Sequence, residues 1–182
     1  MAIRAIGAIL RMLIGVAFIA AGIWKLLDAG YLYGGLVHRL EDFGEPYPFY
    51  RDSILLRFVE PRQELFAYAV PIAEIVVGAL FLLGAFVCLA ALVGAVLLGN
   101  FALAIGYGSS WIVPAHAAAA LLLIVMARAT AGCTWGLDAL LARRVPAPLL
   151  LFPFRWRLPE AYRRISRAPA GNYRGEVHRG RR

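Results

Sequence analysis

The sequence predicts an all-α integral membrane protein. The expected form is a four-helix bundle with a tight hairpin between spans 2 and 3, an external 28–64 loop and a basic cytoplasmic tail. Hydrophobic residues make up 62% of the 182, with a mean hydropathy of +0.71, well above the ~45–50% apolar content of an average soluble domain. Several apolar runs approach or exceed the ~18–20 residues that cross a bilayer core. Finally, eleven of the 19 basic residues lie between Arg143 and Arg182, after the last apolar run. The net charge of +8 is therefore mainly a topology signal, with anionic lipid or a partner subunit as a second use, and argues against nucleic-acid binding.

Span 1 covers 5–27. Arg4 and Arg11, an apolar core and small residues at Ala20–Gly22 imitate a signal peptide, but the run continues through IWKLL with no polar cleavage region. It reads as a retained first helix. Residues 28–64 follow, with seven acids against four arginines and with Pro46, Pro48 and Pro61 breaking the segment up; SILLRFV suits a short surface helix. Spans 2 and 3, at 65–84 and 87–107, form one apolar stretch that as a single helix would be ~65 Å long, twice the bilayer core. It must turn back near Gly84 and Phe86. Span 4 covers 112–131 after the short connection YGSSW.

This gives a four-span domain over 1–144 and a tail over 145–182. Leu149–Tyr162 mixes aromatics, leucines and arginines, as an interfacial segment does, and Ala168–Arg182 has a disordered composition. Even span number and the arginine-rich tail place both termini in the cytoplasm, in a multi-pass protein of the plasma membrane.

Polar residues inside such spans mark the chemistry. Arg11, Gly15, Phe18, Gly22 and Lys25 follow a 4-3-4-3 spacing and share one helical stripe. Pro71, Glu74, Gly78, Phe81 and Ala85 make a matching stripe on span 2. Small residues allow close helix approach, so both stripes face inward and carry their charges there. Arg11 and Glu74 fall at depths an arginine can bridge, which predicts a structural Arg11–Glu74 ion pair. Lys25 lies level with Asn100 on span 3 and His116 on span 4, above Glu74. The bland readings are a snorkelling Lys25, interhelical hydrogen bonds at Asn100 and His116, and topology anchors at Arg128, Arg143 and Arg144. Cys88 and Cys133 form no CxxC and read as packing residues. No metal site is expected. With His116 as the one histidine inside a span, haem has no bis-histidine ligand set.

RMLIGVAFIAAGIWKLLD resembles the opening helix of DoxX-family membrane proteins, through Arg11, Gly15, Phe18, Gly22 and Lys25. AEIVVGALFLLG, with Glu74, Gly78 and Gly84, is similar to that family's second span. LLGNFALAIG, PFYRDSILLRFVEP and AGCTWGLDALL, with Asp138, resemble its DoxD-like branch. The resemblance covers about 8–142. It implies a four-helix membrane fold and the membrane subunit of a quinone-linked oxidoreductase, of the thiosulfate:quinone type, working with a second subunit. The leading expectation is a membrane subunit of a quinone-linked redox system. In it, Lys25 and Asn100 would bind quinone, and Glu74 and His116 would act as catalytic proton-exchanging groups. A noncatalytic scaffold or assembly subunit is the alternative, and a small transporter the third reading. The expected partners are the lipid bilayer and a further subunit of a membrane redox complex.

Overall fold

The computed structural model describes residues 2–128, 135–142, 144, 145 and 150. Eight α-helices occur among them: α1 (Ala2–Leu27), α2 (Ala29–Tyr33), α3 (Leu36–Glu41), α4 (Pro48–Tyr50), α5 (Gln63–Leu83), α6 (Val87–Ile105), α7 (Ile112–Arg128) and α8 (Asp138–Leu141). Between α4 and α5 the backbone passes through π-helical turns at Arg51–Val59 and a 3-10 turn at Glu60–Arg62. Among the described residues, three helical runs are long and apolar enough to cross a membrane: Ala5–Leu27, Pro48–Leu83 and Val87–Ile105. The fourth apolar helix, α7, has 17 residues. The expected span 4 is thus helical to Arg128, and its last residues, with Cys133, Arg143 and nearly all of the tail, lie outside the described residues.

The 28–64 connection is not an open loop. Pro48 through Leu83 form one helical run of 36 residues. Pro48 opens it, at a position where the missing N–H removes no hydrogen bond, and Pro61 falls where the winding changes from the π-helical turns to the 3-10 turn. The segment has its own core: Tyr31, Leu36, Val37, Tyr50, Leu55 and Val59 pack with Ala67 of α5 and Ala104 of α6. It therefore covers one end of the bundle. A backbone bridge pins its turn to the end of α6, with Tyr107 N donating to Glu45 O at 2.9 Å.

The most extensive helix contact is between α1 and α5, and the two glycine stripes meet there. A Cβ added to Gly15 would lie 2.7 Å from Gly78 O, one on Gly22 2.6 Å from Pro71 O, and one on Gly78 2.8 Å from Ile19 N. The obstacles are backbone atoms, which cannot swing away. Gly78→Leu is therefore expected to destabilise the protein by about 1–3 kcal/mol or more, the cost of overpacking. Gly99→Ala, with nothing within 4 Å of the added carbon, should not lower stability. Thermal unfolding of both variants in the same detergent checks the contrast.

At the opposite end, α5 and α6 turn back as expected. Gly84 ends α5 in the left-handed region, at φ 65°, where lack of a Cβ removes the penalty. Phe86 is also left-handed, at φ 48°, and is held there by a remote carboxylate. Asp138 accepts from Phe86 N at 2.7 Å and Val87 N at 3.3 Å. Leu137 N and Asp138 N donate in turn to Leu83 O and Gly84 O, at 3.0 and 2.8 Å. The chain beyond α7 thereby caps α6 from outside the helix.

Candidate functional site

The antiparallel packing of α1 on α5 decides which charges meet. Gly22 lies against Pro71 and Ile75, Gly15 against Gly78 and Leu82, and Arg11 against Gly84. Glu74 is roughly ten residues, or ~15 Å, from the level of Arg11 but only about one turn from that of Lys25. Glu74 accordingly pairs with Lys25, through Lys25 Nζ and Glu74 Oε1. The expected Arg11–Glu74 pair is corrected on this geometry: the depths inferred from span ends alone set the two groups too close. Arg11, fully buried, instead donates to Trp135 O at 3.1 Å and feels the charge of Asp138.

The Lys25 ammonium also sits 4.3 Å from the centroid of the Phe101 ring. The ring face attracts the cation and ties α1 to α6. Glu74 is 3% exposed, and its second oxygen, Oε2, is buried with no hydrogen-bond partner among the described residues. Both side chains line a cleft of about 350 Å³ with His116, Tyr31, Phe101 and Phe18. Trp24 and Phe43, packed edge to face at 5.9 Å, also line it. This is a mostly apolar site with a few convergent polar groups.

His116 Nδ1 lies 2.8 Å from Ile112 O. A carbonyl can only accept, so Nδ1 carries the proton and, in the neutral ring, Nε2 carries the lone pair. Tyr31, on α2 outside the spans, has its phenol pushed above the usual range first by burial and then by the Glu74 charge. It stays protonated.

Asn100 lies apart from these groups. Its amide donates to Val96 O at 2.7 Å and accepts from the Tyr50 hydroxyl at 2.6 Å. It lines a second cavity of about 230 Å³, between the covering segment and α5 and α6, which shares Tyr31, Leu40 and Phe101 with the first. Of the four residues expected at one depth, the structure brings Lys25, Glu74 and His116 to one cleft and leaves Asn100 next door. Tyr31 and Phe101 are not marked by the sequence pattern. The short helix that carries Tyr31 begins at Asp28, which accepts from Gly30 N at 2.9 Å, the cap an aspartate before a helix supplies.

The wall bearing Tyr31 and Leu40 is held by Arg39, which donates to Asp28 Oδ2 and Asp42 Oδ2, both at 2.8 Å. The Arg39 hydrogen bond holds the Asp28 carboxyl below its ordinary range. A depressed carboxylate stabilises the fold above its unfolded pKa, ~3.9, and that contribution is lost as pH falls through the lower folded value. Protection against hydrogen exchange over 28–42, taken relative to the intrinsic rate at each pH, is thus expected to hold at pH 5 and to fall only below about pH 4; Arg39→Ala should show low protection at both.

A family model described as methylamine utilisation protein MauE matches residues 3–111. No curated protein and no solved structure matches the chain. The match corrects the resemblance to the DoxX family and its DoxD-like branch, and removes what that resemblance alone implied, including thiosulfate chemistry. The residues that carried it, small residues flanked by cations on one helix and a buried acid on the next, are what any closely packed helix pair with an internal ion pair requires. They do not separate one such family from another. Matched over more than half of its length, the chain belongs to the family of the methylamine utilisation protein MauE.

Proposed function

We propose that the protein is a membrane subunit of a quinone-linked redox system and that the Lys25–Glu74–His116 cleft receives the ring of the quinone. One observation carries the reading: the buried Glu74 carboxylate, one oxygen of which has no hydrogen-bond partner among the described residues, lines a mostly apolar cleft between α1, α5, α6 and α7 together with Lys25 and His116. A buried polar atom left in that state is destabilising unless something uses it. A place in methylamine utilisation is compatible with a membrane component of an electron-transfer system. In this reading Lys25 orients the ring, Glu74 and His116 exchange its protons, and Asn100 positions Tyr50 on the neighbouring wall.

The protein purified gently from its native membrane should carry a bound quinone-type ligand, in its oxidised or its reduced form. Ala21→Leu, which fills the cleft from α1 without touching its charges, should lose most of it. A second comparison separates this reading from a scaffold whose basic tail docks a partner. Glu74→Gln and His116→Ala should each reduce quinone reduction in membranes at matched protein levels, and truncation after Arg144 should not. Full activity in both point variants with none in the truncation would put the scaffold in its place.

The same proposal sets both termini in the cytoplasm and the 28–64 segment outside, on the arginine excess over 143–182. Reporters fused after Gly44 and after Arg182 are expected to give opposite compartment signals. Identical signals would remove the four-span topology.

A further inference from the structure

The hydrogen-bonding character of the cleft selects between the two redox forms of a quinone-type ligand. We infer, on the basis of the function just proposed, that the cleft is built for the reduced hydroquinone and discriminates against the oxidised quinone. Glu74 lines the cleft, and its Oε2 is an acceptor with no partner among the described residues. His116 lines the same cleft, and with Nδ1 committed to Ile112 O its Nε2 is, in the neutral ring, a second acceptor. Lys25 and the Tyr31 hydroxyl can each donate to either form of the ligand. Only the reduced form can also donate. A hydroquinone hydroxyl gives its hydrogen to Glu74 or His116 while its oxygen accepts from Lys25 or Tyr31. A quinone carbonyl accepts only, so it leaves both protein acceptors unpaired and sets its own lone pairs against theirs, an arrangement heavily penalised when buried.

Charge decides which kind of donor fits. Glu74 is already matched by Lys25, whose ammonium lies over Phe101, and the other walls, Phe18, Trp24, Phe43 and Leu98, are apolar. A free alkylammonium would add an uncompensated positive charge beside Lys25 in a poorly solvating cleft. A neutral diol adds none. The second cavity, sharing Tyr31, Leu40 and Phe101 as a common wall, gives apolar surface next to the ring for a tail.

The test measures binding, without turnover. The purified chain in lipid nanodiscs is titrated anaerobically with a short-tailed benzoquinone, its hydroquinone and the hydroquinone dimethyl ether, following tryptophan fluorescence, with Trp24→Phe identifying the signal from the cleft. The hydroquinone is expected to bind at least tenfold more tightly than the quinone, and the dimethyl ether, which has no donor, no better than the quinone. His116→Phe, which leaves the ion pair in place, should shrink the tenfold preference to threefold or less, and Glu74→Gln should do the same if it folds. Equal affinities for the two redox forms, or tighter quinone binding, would overturn the inference and leave the cleft as a quinone site. Binding of neither form would remove the site and the inference together. Displacement of hydroquinone by millimolar methylammonium would show a cation site and overturn the inference as well.

Discussion

Lys25→Ala is expected to lower stability by about 3–5 kcal/mol, the loss associated with leaving a buried charge without its partner. The pair sits beside the close approach of Gly22 to Pro71, and Lys25 and Glu74 are 14% and 3% exposed as side chains. Removal of Lys25 also ends its contact with the Phe101 ring, so the loss is felt at α6. Lys25→Ala combined with Glu74→Ala should recover a large part of the stability, because no uncompensated charge remains; replacing a buried pair by apolar groups is often close to neutral. Unfolding followed in one detergent for the two single variants and the double variant yields the coupling energy directly. Strictly additive losses would mean that the two groups do not stabilise each other. Arg11→Ala serves as a control, since its partners lie at the far end of the bundle: its loss should add to that of Glu74→Ala without recovery.

That control marks where sequence reasoning stopped. The stripes at Gly15, Gly22 and Gly78 were legible because close approach needs small residues at helical spacing, and no other side chain substitutes for them. The partner of Glu74 was not legible, because it depends on the axial register of two antiparallel helices, and register is set by where the connections let each helix begin and end. The prolines of the 28–64 segment misled for a related reason. Pro48 and Pro61 read as breaks in a linear sequence, yet at the first turn of a helix a proline such as Pro48 costs nothing, Pro61 falls where the winding changes from π to 3-10, and Leu55 and Val59 share with Ala104 a core that no local pattern announces. Clustering Lys25, Glu74 and His116 by depth worked because depth along a spanning helix is a one-dimensional quantity. Asn100 shared the depth and still faced a different cavity, because depth carries no information about rotation of α6 around its own axis. The family went wrong at the same level, since short motifs shaped by helix contact recur wherever that contact does.

Asp138→Ala is expected to destabilise the protein on a scale similar to Lys25→Ala, about 3–5 kcal/mol, although Asp138 lies more than a hundred residues from the first-span charges. Its carboxylate is 1% exposed and serves two structures. It accepts from the Phe86 and Val87 amides, which the first turn of α6 would otherwise leave unpaired, and losing such a cap costs ~0.5–2 kcal/mol by itself. It also acts on Arg11, a fully buried cation of α1. Loss of the charge therefore weakens the hold on a left-handed Phe86 and on a buried guanidinium together. Asp138→Asn separates the two contributions: its amide oxygen can still accept from Phe86 N, while the charge opposite Arg11 is gone. The amide exchange of Phe86 and Val87 should accelerate strongly in Asp138→Ala and little in Asp138→Asn, whereas both variants should lose stability. An Asp138→Ala protein that unfolds within about 0.5 kcal/mol of the parent, the range of an inert surface change, would show that the hairpin holds its turn without help from the chain beyond α7.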